Sequence, residues 1–224
     1  MTLDTRRHME LFDADSFTTP IHIIGAGATG SWLALMLAKL GIKGDLIHAY
    51  DFDHVEEHNV PNQLYSLGDA KVKRDKVEAL YDILAEQTGA RIKISPLEFK
   101  DGRLSGYVFI MTDTMKSRKQ IWERSIKMKQ SVKLLIEPRM GLDLGRIYNV
   151  LPTDTEHIRQ YEDTFYTDEE AETSACGTSQ SVITTSTAVA SMCVRQLINH
   201  HAEVELDNEI IVDFKYNNLI TSRW

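Results

Sequence analysis

Apolar residues come in short β-branched blocks separated by longer stretches of helical period, and that alternation predicts the layout of the chain. Ile21, Ile23 and Ile24, with His22 among them, form a run that stops at Gly25 and predicts a buried strand over 21–24. Trp32, Leu33, Leu35, Met36, Leu37 and Leu40 then crowd a stretch too long for a strand, and Gly41 offers a C-terminal cap, so a helix follows. Further strands are predicted over 46–50, 92–94, 107–110, 132–136 and 148–151. Val77, Leu80, Tyr81 and Leu84 recur at helical spacing and predict a helix over 76–86. Such alternation builds βαβ units, hence an α/β fold with a Rossmann-like, mostly parallel sheet flanked by helices. Helical character resumes over 187–197, and 210–214 with the tail to Trp224 predicts a C-terminal strand or hairpin extension.

Two stretches lack a period. Residues 1–20 read as an N-terminal arm, and the polar, acidic stretch over 152–181 is long enough to read as a mobile loop. The rest of 21–224 reads as a single domain.

Composition narrows the function classes. The formal charge of -8 argues against generic nucleic-acid binding, which needs a positive field. No apolar run reaches membrane-spanning length, and Asp4, Glu10, Asp13 and Asp15 stand where a signal core would lie, so the expectation is a cytoplasmic protein with no membrane partner. Two cysteines, Cys176 and Cys193, give neither a disulfide framework nor a four-thiolate site, and no structural zinc is expected.

Gly25-Ala26-Gly27-Ala28-Thr29-Gly30 fits G-x-G-x-x-G between a strand and a helix. Glycines let the backbone turn tightly and approach a phosphate, and the helix N-terminus supplies free N–H donors. Asp51, about twenty residues on at a strand end, stands where an acidic side chain holds a ribose. These two features leave NAD, FAD and ATP open.

The segment from Asp51 through Asp53, Val55 and Asn59 to Gln63 resembles the D-x-D-x-V-x-x-x-N-x-x-R-Q signature of the ThiF/MoeB/HesA adenylating enzymes. Lys76 falls at that family's helix-opening lysine, and Asp113 with Arg118 fits its strand-end D-x-x-x-x-R pattern. The resemblance runs over roughly 20–200, through Glu137-Pro138-Arg139-Met140-Gly141 and the Cys176 region. It implies attack of a C-terminal carboxylate on the α-phosphate of ATP, giving an acyl-adenylate and pyrophosphate. The implied substrate is a ubiquitin-like protein or a peptide with a free C-terminus. The implied roles place the glycine loop and Asp53 at the nucleotide, Asp51 on the ribose, Asn59 and Gln63 on phosphates, Lys76 on phosphate charge and Asp113 on Mg²⁺. Relatives pair as homodimers, so Arg6 and Arg7 are expected to reach a second subunit's site, and Cys176 is a candidate acceptor of the activated carboxylate. Cys193, inside a helical run, reads as core. One position departs from the pattern: Asn62 stands where the family has arginine. An NAD-dependent oxidoreductase and a catalytically inactive nucleotide-binding scaffold are the competing readings.

Overall fold

Pro20 and Gly25 bracket β1 (Ile21–Ile24), whose four residues are all buried, as expected of a central strand covered on both faces. The computed structural model describes residues 3–166 and 181–224. After β1 come α1 (Ala28–Lys39), β2 (Ile47–Tyr50), the short α2 (Leu67–Lys71), α3 (Lys76–Thr88), β3 (Lys93–Ser95), β4 (Gly106–Ile110) and α4 (Met115–Ile121). Then follow β5 (Val132–Met140), β6 (Leu144–Val150), α5 (Thr155–Asp163), α6 (Ile183–His201), β7 (Glu209–Asp213) and β8 (Asn218–Ser222). The eight strands make one sheet in the order β3-β2-β1-β4-β5-β6-β7-β8. The first five are parallel, with Ile24 beside Tyr50 on one side and Ile110 on the other. From β5 onward the pairing is antiparallel, which the β7–β8 hairpin continues to the edge. This is the α/β architecture the alternation predicts, with the antiparallel extension.

Strand side chains alternate between two cores. Ile21 and Ile23 join Leu33 and Leu37 of α1, Val77 and Leu80 of α3, and Val189, Cys193 and Leu197 of α6. Ile24, Val108 and Ile110 face the other way, against Ile121, Trp122, Ile158 and Tyr161. Burying each such side chain contributes roughly 1.5–3 kcal/mol.

The N-terminal stretch is less of an arm than its polarity predicts. Phe12, Ala14 and Phe17 are buried in the first core, and the Phe17 ring packs on Tyr107 and His201. Phe17→Ala would therefore cost about 3–5 kcal/mol, as for a core aromatic.

Part of the expected 152–181 loop is helical. Asp154 caps α5 by accepting the Glu156 and His157 N–H groups, and only Ile158 and Tyr161, three residues apart, are buried. Two apolar residues in nine leave too faint a period to read. Residues 167–180 lie outside the described residues. No helix among the described residues is long and apolar enough to cross a membrane.

Candidate functional site

The sheet's strand order reverses between β1 and β4, which places a crevice at their C-terminal ends. Gly25 enters it with φ of +102°, and a Cβ there would lie 2.6 Å from the Met111 carbonyl oxygen at the end of β4. A Cβ on Gly30 would lie 2.0 Å from the Gly25 carbonyl oxygen, so this turn closes only with glycine. Gly27 is different: the nearest atom to its hypothetical Cβ is Gln63 Nε2 at 4.0 Å, leaving the backbone open to a ligand. No side chain caps α1, its first turn holds no acid, and its ladder starts with Ser31 N–H donating to Gly27 O. The N–H groups of Ala28, Thr29 and Gly30 are thus left as unsatisfied donors with the positive end of the helix dipole behind them. That donor set fits a phosphate.

Asp51 ties the loop to the neighbouring strand. Its Oδ2 accepts the Ala26 N–H at 2.7 Å and its Oδ1 the Asp53 N–H at 2.9 Å. Burial pushes the Asp51 carboxyl up, opposed by Lys76 and by these two backbone donors. Lys76, at the start of α3, is buried, and its Nζ lies 2.8 Å from Asp53 Oδ2. The Lys76 N–H also donates to the Asp53 carbonyl. Glycine loop, Asp51, Asp53 and Lys76 therefore form one bonded chain along the crevice wall.

The segment between Asp53 and Lys76 supplies the floor. Asn59 Oδ1 accepts the Glu56 N–H at 3.0 Å, which fixes the amide so that Nδ2 is the donor left for a ligand. Gln63 Oε1 is buried without a partner. Tyr65, wholly buried, donates its hydroxyl to the Ala26 carbonyl at 2.5 Å, and burial raises its pKa well above the ordinary value, so it stays a donor. Asn62, at the position of the family arginine, points into the protein. Its Nδ2 donates to Ser181 Oγ, its Oδ1 accepts the Ser186 hydroxyl at 2.7 Å, and its carbonyl takes the Trp32 indole N–H at 3.0 Å. Asn62 thus anchors the start of α6.

Asp113 lies at the C-terminal end of β4, two residues beyond Met111, exposed and in no hydrogen bond or ion pair among the described residues. Thr114, rather than Asp113, caps α4, accepting the Ser117 N–H at 3.2 Å. An open carboxylate beside a phosphate-type loop fits a hard cation whose other ligands are phosphate and water. Arg118 is buried and turned away from solvent. It bonds Glu137, the Pro138 carbonyl at 3.0 Å and the Thr112 carbonyl, so it clamps the strand ends around Asp113. Glu137, fully buried, also takes Arg139 at 2.9 Å and the Tyr161 hydroxyl at 2.8 Å. Burial opposes its ionisation, but Arg118 and Arg139 outweigh that and hold the carboxyl below the usual glutamate range. Arg139 stacks 4.5 Å from the Tyr148 ring centroid and donates to the Thr164 carbonyl at 2.8 Å. Motif reading reached Arg118 and the 137–141 segment, but neither the ion network nor Tyr161.

Other candidates lie elsewhere. Thr5 contacts Gly41, and His8 Nε2 lies 3.2 Å from the Leu40 carbonyl, so Arg6 and Arg7 sit by the far end of α1, roughly 18 Å along its axis from the glycine loop. Arg6 pairs with Asp4 at 2.6 Å. Arg74 is committed to Asp82 and Asp69, so it does not replace the missing cation. Cys193 is buried, and burial pushes its thiol up, so it is no nucleophile. Cys176 lies outside the described residues.

The ThiF family's profile matches residues 15–223. The chain belongs to the ThiF family. No curated protein sequence matches it. Among solved structures, PaaA superposes with a TM-score of 0.72 at 16% identity, covering 97% of this chain and 71% of PaaA. The E. coli enzyme MccB with ATP gives 0.64 at 14% identity, and the microcin C7 biosynthetic enzyme MccB in complex with N-formylated MccA gives 0.65 at 14%. Both cover 92% of this chain and 64% of MccB, so the chain spans a little under two thirds of that protein. At such identities the likeness is one of fold. Family membership removes the dehydrogenase reading.

Proposed function

We propose that the protein binds ATP with Mg²⁺ at the β1–β4 crevice and adenylates the C-terminal carboxylate of a peptide or a ubiquitin-like protein. The observation that carries this reading is the bonded chain from the glycine loop through Asp51 and Asp53 to Lys76. It puts an uncapped helix N-terminus, a strand-end carboxylate and a buried ammonium on one wall of the crevice, the three kinds of group that a nucleotide's phosphates and sugar call for. The ATP-bound and MccA-bound MccB structures support the choice of substrates.

Two anions must meet for this reaction, so local positive potential and fixed geometry are what the protein has to supply. The N–H groups of Ala28, Thr29 and Gly30 would hold phosphate, with Asn59 Nδ2 and Gln63 as further donors. Lys76 would offset charge as it develops on the α-phosphate, and Asp51 would hold the ribose. Asp113 would hold Mg²⁺, which supplies charge neutralisation on the phosphates. The site is poor in cations on its own, because Asn62 faces inward and Arg74 is paired. Arg6 or Arg7 from a second copy would complete it, which makes a homodimer part of the proposal. Cys176 would act only after adenylation, as acceptor of the activated carboxylate.

ATP:pyrophosphate exchange with candidate peptides tests the reading. We expect exchange that depends on peptide and Mg²⁺, with NAD binding far weaker than ATP. Tight NAD binding without any ATP binding would overturn it. Binding of ATP with no exchange for any peptide would favour the inactive scaffold, a reading that draws on Asn62.

A further inference from the structure

Tyr65 follows the crevice floor and is 4% exposed, packed in the first core. Three bonds fix its segment against the glycine loop and the start of α1. The Trp32 indole N–H donates to the Asn62 carbonyl at 3.0 Å, the Leu64 N–H to Ser31 Oγ at 3.2 Å, and the Tyr65 hydroxyl to the Ala26 carbonyl at 2.5 Å. Ser66 then opens α2 in a capping box with Asp69, so the chain is held on both sides of the tyrosine. The phenol reaches Ala26 from a backbone with little freedom to withdraw.

What the phenol holds is the peptide that joins Ala26 to Gly27. That peptide is trans, so the Gly27 N–H points opposite to the Ala26 carbonyl and therefore away from Tyr65. It donates to no acceptor among the described residues. Gly27 is half-buried, and the nearest atom to its hypothetical Cβ lies at 4.0 Å, so a ligand can approach it. The preceding peptide is pinned separately, its Ala26 N–H donating to Asp51 Oδ2 at 2.7 Å. Each peptide flanking Ala26 is thus held by one side chain, Asp51 before it and Tyr65 after it.

Without the hydroxyl, the second peptide has an alternative within reach. Rotating it by about half a turn changes ψ of Ala26 and φ of Gly27, and a glycine at φ of −79° accepts the positive φ that results. The Ala26 carbonyl, in a wholly buried residue, would have lost its donor, and a buried carbonyl without a partner favours any rotation that finds one. The rotated peptide turns an oxygen, in place of an N–H, toward an arriving anion.

We infer that Tyr65 is a positioning residue for the nucleotide phosphates. Its hydroxyl locks the Ala26–Gly27 peptide so that the Gly27 N–H is presented to phosphate, a further backbone donor beside those of Ala28, Thr29 and Gly30. The inference rests on the reading of the crevice as an ATP site and adds the residue that sets the polarity of its loop.

Titration calorimetry of the full chain and of its Tyr65→Phe variant, with ATP plus Mg²⁺ and with adenosine, tests the inference. ATP is expected to bind the variant roughly tenfold more weakly, the size of a lost hydrogen bond to a charged group, while adenosine binds both proteins alike. Equal ATP affinity would overturn the inference and leave the ATP site standing. Equal weakening of adenosine would overturn it too, since a merely loosened fold does not discriminate for phosphate. If ATP bound neither protein, the ATP site itself would fall and this inference with it. A second measurement needs no variant. In wild-type protein labelled at the glycine nitrogens, the Gly27 amide proton should move downfield in the NMR spectrum with ATP and stay in place with adenosine. A Gly27 amide that ignores ATP, or responds to both compounds alike, would overturn the assignment.

Discussion

Lys76 and Glu137 both place charge in the protein interior beside the β1–β4 crevice, but with very different surroundings. Glu137 is fully buried, and both its oxygens are consumed by Arg118, Arg139 and Tyr161. Lys76 has one carboxylate partner, and that partner, Asp53, keeps half its side chain in solvent. A buried charge with every valence filled holds structure, and removing one partner strands the rest. A buried charge paired at its outer end to a solvated group can redirect its remaining donors to an arriving anion at small cost.

Breaking the saturated network should have the largest effect. Glu137→Ala leaves Arg118 and Arg139 uncompensated in the interior, and should cost about 3–5 kcal/mol. For a chain of this size that lowers Tm by roughly 6–20 °C, readable by calorimetry. Because the Glu137 carboxyl is held below its ordinary value, its contribution is fully present above pH 4.5 and is lost as pH falls through the lower folded value.

Lys76→Met should behave in the opposite manner. Asp53 can be solvated once the lysine is gone, so stability should shift by no more than about 1 kcal/mol. Pyrophosphate exchange should nonetheless fall by about 10²–10³-fold, as for removal of a single transition-state donor. Equal destabilisation by the two variants would erase the distinction between them.

Asn62→Arg sharpens the same comparison at the position where the chain departs from its family. Restoring the cation would be expected to help if the side chain faced the nucleotide. It faces Ser181 and Ser186 instead, so the buried Ser186 hydroxyl loses its Asn62 acceptor. The expected result is a loss of about 1–3 kcal/mol in urea unfolding with no gain in exchange. A gain in exchange would show that the segment can turn outward.

The same contrast explains what was legible in the sequence. Gly25, Asp51, Asp53 and Lys76 each stand in a local motif, and their chemistry depends on backbone geometry that G-x-G-x-x-G, a strand-end acid and a helix-opening lysine already encode. Glu137, Arg139 and Tyr161 meet through β5 and α5, a relation between elements that no local spacing carries. Arg118 also hid α4, since a charged residue at a buried position breaks the apolar period of Met115 and Ile121. The helix α5 was hidden by having two apolar residues in nine. Phe12 and Phe17 were legible as aromatics, but their burial depends on His201, which is distant in sequence.

His22 extends the comparison to a buried ionisable group without a counter-charge, on the strand that carries the glycine loop. Its Nδ1 lies 3.1 Å from the Tyr50 hydroxyl, its Nε2 is buried without a partner, and its ring lies 4.7 Å from His48. Burial, aided by His48 and Lys93, lowers its pKa from 6.5 to about 4. Between those values the unfolded chain binds a proton that the folded chain does not, so stability rises with pH across the window and falls on acidification from 6.5 to 4. Glu137 enters only at the acid end of that window, since its loss sets in as pH approaches 4.5 and grows below it, so the upper part of the window isolates His22 from Glu137. Discounted for incomplete burial, the His22 contribution should be on the order of 1 kcal/mol. Urea midpoints measured from pH 7 to pH 4.5 should fall for the wild type, and less so for His22→Phe, which keeps a flat ring against His48. A parallel fall in both proteins would assign the titration to another group and leave His22 as a packed, silent ring.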